Sequence, residues 1–193
     1  MKISLALVAV IYIAGLAAGQ SLPEIMVGKV SRYVWLDEEQ KRNARIIMDE
    51  CVRYTTNDKQ LAYILSTAIG ECSLRPVREW RAPEGSQLWH IQNAYWYSGY
   101  FGRGYVQITW IYNYQRFGQL LNIDLVNNPD LALAPDAGAK IMCIGMTQGL
   151  FTGKGLNDFL GDGRDDWNGA RTIVNGWDKA AEFGERGRAI LNA

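Results

Sequence analysis

The chain has 193 residues, of which 48% are hydrophobic and 21% are charged. Its 20 Lys and Arg residues balance 20 Asp and Glu residues, so the formal net charge is zero. This balance gives no sign of a nucleic-acid partner or of an anionic surface as a target. The length suits one compact domain with its own core.

The first residues predict a secretory signal peptide. Lys2 provides a basic start, residues 3–18 are almost entirely apolar, and Ala17-Ala18-Gly19 supplies the small residues that a signal peptidase needs. The apolar stretch is shorter than the roughly 20 residues that span a bilayer, which argues against an uncleaved anchor. We therefore expect residues 1–19 to be removed and residues 20–193 to form one secreted, extracellular domain without membrane attachment.

Two long helices are predicted near the start of this domain. Asp37 can cap a helix whose apolar residues recur every three or four positions between Ala44 and Val52. Asn57 or Asp58 can cap a second helix that continues to Cys72. The second helix is apolar around most of its circumference, so we expect it at the centre of the core.

The rest of the chain alternates loops with shorter elements. Residues 75–98 have no clear period, whereas β-branched and aromatic residues over Tyr105–Trp110 predict a short strand. Further helices are predicted over residues 137–148, 166–174 and 178–191. Together these elements predict a mainly α-helical (α+β) single domain with a small β element.

The cysteine and histidine content excludes several kinds of site. Three cysteines permit at most one internal disulfide. If the helices that contain Cys51 and Cys72 are antiparallel, the two residues are offset by roughly 16 Å, too far for a bond. His90 is the only histidine, which argues against a Cys–His nucleophile. No cluster has metal-ligand spacing, so we expect no metal and no other cofactor.

Two carboxylates are candidates for proton transfer. Glu71 falls at the C-terminal end of the most apolar helix, where the helix macrodipole and desolvation both disfavour the charged form. Such a group suits a general acid, which must hold a proton near neutral pH. Glu79 follows in irregular chain and could face Glu71 across a groove. The structural alternative is that Glu71 pairs with Arg75 or Arg78 and that Glu79 is a solvated loop residue.

An ordered series of motifs gives this acid pair a context. Glu71 and Arg78-Glu79 are followed by Phe101-Gly-Arg-Gly104, Gln107-Ile-Thr-Trp110 and Tyr112-Asn-Tyr114. The series resembles glycoside hydrolase family 19, which contains chitinases and related phage and bacterial endolysins. The likeness continues through residues 125–131, 145–146, 151–153 and 171–176.

The resemblance implies a lysozyme-like, mainly helical fold and hydrolysis of β-1,4 links beside N-acetylated sugars, with inversion. It implies that Glu71 is the general acid, that Glu79 is the base that activates water, and that Thr109 helps to hold this water. It also implies a set of sugar-binding residues, namely Gln107, Tyr112, Asn113 and Asn175. Hydroxyl and amide groups of these types can orient water and recognise sugar hydroxyls and acetamides.

Each of these assignments has a structural alternative. Gln107 and Thr109 could be cross-strand hydrogen-bonding residues, and Asn175-Gly176 resembles an ordinary turn. Among the tryptophans of the loop region, Trp96 is a candidate for stacking on a sugar ring, although core packing is the commoner role of this residue type. Trp110 and Trp177 are expected in the core.

We therefore expect a secreted, endo-acting, monomeric glycosidase whose partner is a polysaccharide, chitin or a chitin-like N-acetylglucosamine polymer. The alternatives are a lysozyme-like endolysin that cuts peptidoglycan and a catalytically silent glycan-binding homologue. Retention of Glu71, Glu79 and Thr109 favours an enzyme. Gly70 and Cys72 stand where many family members carry His and Thr or Ser, which favours the silent protein.

Overall fold

The computed structural model describes residues 19–193. Residues 1–18, which make up nearly all of the predicted signal peptide, lie outside this part of the chain. Among residues 19–193, no helix is long and apolar enough to cross a membrane.

α-Helices form most of the described chain, joined by short 3₁₀ helices and one small sheet. The α-helices are α1 (Leu22–Tyr33), α2 (Glu38–Cys51), α3 (Asp58–Cys72), α4 (Gln87–Gln92), α5 (Ile111–Leu121), α6 (Pro135–Gln148), α7 (Asn157–Leu160) and α8 (Ala180–Asn192). The strands are β1 (Val77–Arg78) and β2 (Arg103–Gly104), and the 3₁₀ helices are Trp96–Ser98, Pro129–Leu133 and Gly169–Ile173.

The two long helices near the start of the domain begin where their capping residues predict. The Asp37 carboxylate accepts a hydrogen bond from the backbone of Gln40 at 2.9 Å, and Gln40 returns one from the backbone of Asp37 at 3.0 Å, which completes a capping box on α2. Asn57 caps α3 through the backbone amide of Lys59 at 3.0 Å. Helix α3 ends in the left-handed residue Ser73, so both predicted helices are confirmed.

Helix α3 is the centre of the core, as its composition predicts. Every residue from Leu61 to Ala68 is buried, and the helix packs along α8. Helix α2 packs along α6, and a disulfide between Cys51 and Cys143 joins the two, with their Cα atoms 5.1 Å apart. Cys72 is a buried free thiol, which confirms the expectation that it does not bond to Cys51.

The predicted strand over Tyr105–Trp110 is wrong. The sheet is formed instead by β1 and β2, antiparallel, with Val77 opposite Gly104. After β2 the chain turns, because Gln107 adopts a φ of 52° and its side-chain Nε2 donates to the carbonyls of Val77 at 2.8 Å and Gly104 at 2.9 Å. The composition of this segment suits a strand, but these side-chain bonds fix a turn.

The shorter elements agree with the sequence only in part. The helix predicted over residues 137–148 is α6, which starts at Pro135, and the one predicted over 178–191 is α8. Residues 166–174 contain only the third 3₁₀ helix. Helices α1, α4, α5 and α7 were not predicted; α5 follows Trp110, a residue with a φ of 72° and no side-chain cap.

Candidate active site

Glu71 lies at the next-to-last position of α3 and meets a buried cation. Its carboxylate forms an ion pair with Arg171 of the third 3₁₀ helix; the side chains are 17% and 4% exposed. Arg171 is fixed on two further sides, because its Nε donates to the carbonyl of Asp178 at 3.0 Å and its guanidinium lies 4.0 Å from the centroid of the Phe183 ring. One oxygen of Glu71 is therefore held in place by an immobilised cation.

The cations that the sequence offered as structural partners of Glu71 are engaged elsewhere. Arg75 pairs with Asp37 and with Glu39, the latter at 3.1 Å. Arg78 pairs with Asp130. Glu71 therefore pairs with an arginine, as in the structural alternative, but this arginine is Arg171 and not Arg75 or Arg78.

The unusual neighbours of Glu71 are explained by packing. A Cβ atom at Gly70 would come within 2.6 Å of Arg186 Nη1 and closer still to the ring of Phe183, so the contact between α3 and α8 leaves no room for a side chain. The Sγ of Cys72 donates to the carbonyl of Ala68 at 3.1 Å. Burial raises the pKa of the Cys72 thiol to about 12, so this thiol is neutral and fills the core.

Substitution of Gly70 by His should destabilise the fold. The imidazole would displace the buried Phe183 ring, so we expect the free energy of unfolding to fall by about 1–3 kcal/mol. Chemical denaturation measures this change. The matched control is Gly28→His in α1, where an added Cβ meets only Arg32 Nη1 at 3.4 Å. Equal stability of Gly70→His and the wild type would show that packing does not require this glycine.

Glu79 is held by three hydrogen-bond donors. Its Oε1 accepts from the Tyr95 hydroxyl at 2.7 Å and from Gln92 Nε2 at 2.9 Å, and its Oε2 accepts from the backbone amide of Gly102 at 2.8 Å. Burial and the bond to Glu79 raise the pKa of Tyr95 above its usual value, so this hydroxyl stays a donor. Glu79 is thus a fixed group and not the solvated loop residue of the structural alternative.

Three of the predicted site residues form a hydrogen-bonded run beside Glu79. The Thr109 hydroxyl donates to the carbonyl of Gln107 at 3.0 Å, and Asn113 Nδ2 donates to the carbonyl of Thr109 at 2.8 Å. An added Cβ at Gly102 would lie 2.8 Å from Gln107 Oε1 and 3.1 Å from Glu79 Oε2. Gly102 therefore permits a close approach of Gln107 and Glu79.

The aromatic residues divide into stacked and exposed groups. Trp96 stacks on Phe101, with ring centroids 4.4 Å apart and planes inclined by 16°, so one indole face is occupied. Tyr112 is 55% exposed and lies nearly parallel to Trp110 at 6.5 Å.

Trp110 and Trp177 are not core residues, contrary to expectation. They are 39% and 68% exposed, and Trp110 packs against the Tyr95 ring at 5.3 Å. The buried tryptophan is Trp167, which is 1% exposed. Composition alone does not distinguish these three positions, since each indole is equally apolar.

The predicted residues therefore fall into two groups. Gln107, Thr109 and Asn113 belong to the surroundings of Glu79. Asn175 lies on the side of Glu71: its backbone amide donates to the carbonyl of Arg171 at 3.1 Å, while its Oδ1 accepts from the backbone amide of Gly176 at 2.8 Å. Its side-chain Nδ2 has no partner among the described residues.

The sequence patterns did not indicate three residues that hold the two carboxylates: Arg171, Gln92 and Tyr95. Arg171 belongs to a stretch that resembles family 19, but its pairing with Glu71 joins positions 100 residues apart. Gln92 and Tyr95 lie in a segment without clear periodicity, and no local signal marks them. Within residues 19–193, no group of three or more His, Cys, Asp or Glu residues could hold a metal ion.

Comparison with known proteins identifies the family to which the chain belongs. The family model described as chitinase class I, glycoside hydrolase family 19, matches residues 37–144, which is more than half of the chain and includes both carboxylates. The chain belongs to glycoside hydrolase family 19. Arg171 and Asn175 lie beyond the matched residues.

Several curated proteins of this family match shorter stretches. Chitinase 11 of Oryza sativa subsp. japonica is 38% identical over 82 residues, which is 40% of this chain and 32% of that protein. Endochitinase 1 of Theobroma cacao is 60% identical over 37 residues, 19% of this chain and 11% of that protein. Inactive chitinase-like protein 1 of Hevea brasiliensis is 59% identical over 32 residues, 17% of this chain and 10% of that protein. The chain thus spans less than a third of the length of these relatives.

The fold agrees with that of a solved chitinase. A crystal structure of a chitinase C mutant superposes with a TM-score of 0.55 and covers 85% of this chain and 90% of that one, at 15% sequence identity. The expected lysozyme-like fold, mainly helical with a small β element, is thereby confirmed.

Proposed function

We propose that this family 19 chain is a secreted, monomeric glycosidase that cuts β-1,4 links in chitin or a chitin-like N-acetylglucosamine polymer, with inversion at the anomeric carbon. One observation carries the proposal. The chain holds two carboxylates in place by different means, Glu71 by the buried Arg171 and Glu79 by three donors, inside the segment that the family model matches.

In the proposed reaction the two carboxylates have separate roles. Glu71 acts through the oxygen that Arg171 does not hold and gives a proton to the glycosidic oxygen as the bond to the anomeric carbon breaks. Glu79 takes a proton from a water molecule, whose oxygen forms the new bond on the opposite face of the sugar. The products carry one new hydroxyl each, and the anomeric configuration is inverted.

Thr109 and the amide residues have supporting roles. The Thr109 hydroxyl donates to the carbonyl of Gln107 and keeps its lone pairs for the attacking water. The side-chain Nδ2 of Asn175 is available for a sugar hydroxyl or acetamide. Tyr112 offers an exposed ring for stacking on a sugar ring, whereas the Trp96 ring is stacked on Phe101 and lies 5.0 Å from the Arg81 guanidinium. Gln107, Asn113 and Asn175 would recognise the acetamide and hydroxyl groups.

A silent glycan-binding protein is the second candidate function. It is favoured by one matched relative whose name describes it as inactive. Gly70 and Cys72 do not add to that case, because the packing of α3 explains both. Peptidoglycan is the alternative substrate, since it shares the N-acetylglucosamine unit and differs by its lactyl-peptide arm.

The test is turnover by the wild-type chain of chitin oligosaccharides and of purified peptidoglycan. We expect new reducing ends from the chitin oligosaccharides and a lower rate on peptidoglycan. Faster cleavage of peptidoglycan would favour the endolysin. Binding of the oligosaccharides without cleavage of either polymer would contradict the hydrolase and leave the silent protein.

A further inference from the structure

Gln92 is a fully buried amide at the end of α4, in a segment whose neighbours are mostly exposed. Its side chain is 0% exposed. Its Nε2 donates to Glu79 Oε1 at 2.9 Å and to the carbonyl of Trp80 at 2.8 Å, and its Oε1 accepts from the backbone amide of Ala82 at 2.8 Å and from Arg81 at 3.3 Å. Every donor and acceptor of this amide is therefore used, as burial requires.

The segment around Gln92 is fixed by Arg81. The Arg81 guanidinium lies 5.3 Å from the centroid of Trp89, 5.0 Å from that of Trp96 and 5.6 Å from that of Tyr97. It also bonds to the side chain of Asn93. These contacts tie the residues after β1 to the residues of α4 and of the 3₁₀ helix that follows it, so Gln92 is held in one place.

The donors around Glu79 leave one acceptor position open. A carboxylate has about four lone-pair positions. Gln92 and Tyr95 occupy both positions of Oε1, whereas the backbone amide of Gly102 occupies one position of Oε2. The open position is therefore on Oε2.

We propose that Gln92 is a positioning residue for the base: with Tyr95 it saturates Oε1 and so directs Oε2 of Glu79 at the water. This inference rests on the proposed function, because it assumes that Glu79 takes a proton from water. Misplacing a catalytic group by about 1 Å can cost roughly 100-fold in rate, so the donors that fix the carboxylate should be visible in kcat.

Three substitutions separate positioning from structural support. Gln92→Glu keeps an acceptor for Ala82 but replaces the donor to Glu79 by a carboxylate oxygen. Gln92→Met removes all polar contacts at similar volume, and Tyr95→Phe removes one hydroxyl while the ring contact with Trp110 is kept. The matched control is Gln87→Glu at the exposed first residue of the same helix.

The readouts are kcat and KM on a chitin oligosaccharide, the pH–rate profile and thermal unfolding of the full chain. We expect kcat to fall about 10- to 100-fold in all three variants, with KM nearly unchanged. The acid limb of the profile should move to higher pH, because the ionised base has lost a donor. Gln87→Glu should match the wild type.

Two results would overturn the inference. In the first, the Gln92 and Tyr95 variants keep the wild-type kcat and the acid limb of the pH–rate profile does not move, while Glu79→Gln is inactive. This outcome leaves the proposed function standing and assigns Gln92 a structural role. The second is full activity of Glu79→Gln itself, which removes the base assignment and the proposed function together with the inference.

Discussion

Glu71→Gln should lower turnover of chitin oligosaccharides by roughly 100- to 10,000-fold, because the amide cannot give a proton to the glycosidic oxygen. The fold should tolerate this change, since the amide oxygen of Gln can still accept a hydrogen bond from Arg171. The loss should depend on the leaving group: an aryl glycoside, which departs as a weakly basic phenolate, needs little protonation and should be cut at a rate much closer to that of the wild type. Initial rates on the two substrates measure this difference.

Glu185→Gln is the matched control for Glu71, because it makes the same change at an exposed position of α8. It should leave both rates unchanged. An equal loss on the oligosaccharide and on the aryl glycoside would contradict the role of general acid. Such a result would point to Glu71 as a binding or structural partner of Arg171.

Glu79→Gln should cause a loss of the same order, roughly 100- to 10,000-fold, but on both substrates alike. The base acts on the attacking water, so its removal does not depend on the leaving group. The new amide would also set its NH₂ group against the donors from Gln92, Tyr95 or Gly102, which adds a misfit to the lost base. Initial rates on the same two substrates test this expectation.

The control for Glu79 is Glu84→Gln, an exposed glutamate in the same segment. Thermal unfolding of each variant shows whether the misfit unfolds the segment. Recovery of Glu79→Gln on the aryl glycoside alone would contradict the role of base and would exchange the proposed roles of the two carboxylates.

The helix that carries Glu71 and the helix before it follow from local features of the sequence. Capping by Asp37 and Asn57 is decided within three residues, and the periodicity of α3 places Glu71 at its end. Both features are encoded in neighbouring residues, so they can be read without knowledge of the fold. The order of motifs from Glu71 to Tyr114 was sufficient to identify the family.

The contacts that hold the acids could not be predicted in this way. Arg171 reaches Glu71 across 100 residues of chain, because its 3₁₀ helix packs against α8 and α8 packs against α3. Gln92 and Tyr95 reach Glu79 from a segment without periodicity. The turn at Gln107 depends on side-chain bonds to two backbone carbonyls, while the composition of the segment favours a strand.

The most direct measurement is the anomeric configuration of the fresh product, followed by proton NMR while the wild-type chain cuts a β-linked chitin oligosaccharide. With Glu71 as acid and Glu79 as base for a water, the new reducing end must appear first as the α-anomer and then mutarotate. A new reducing end that appears first as the β-anomer would contradict the mechanism, because retention requires a nucleophile on the reacting face of the sugar.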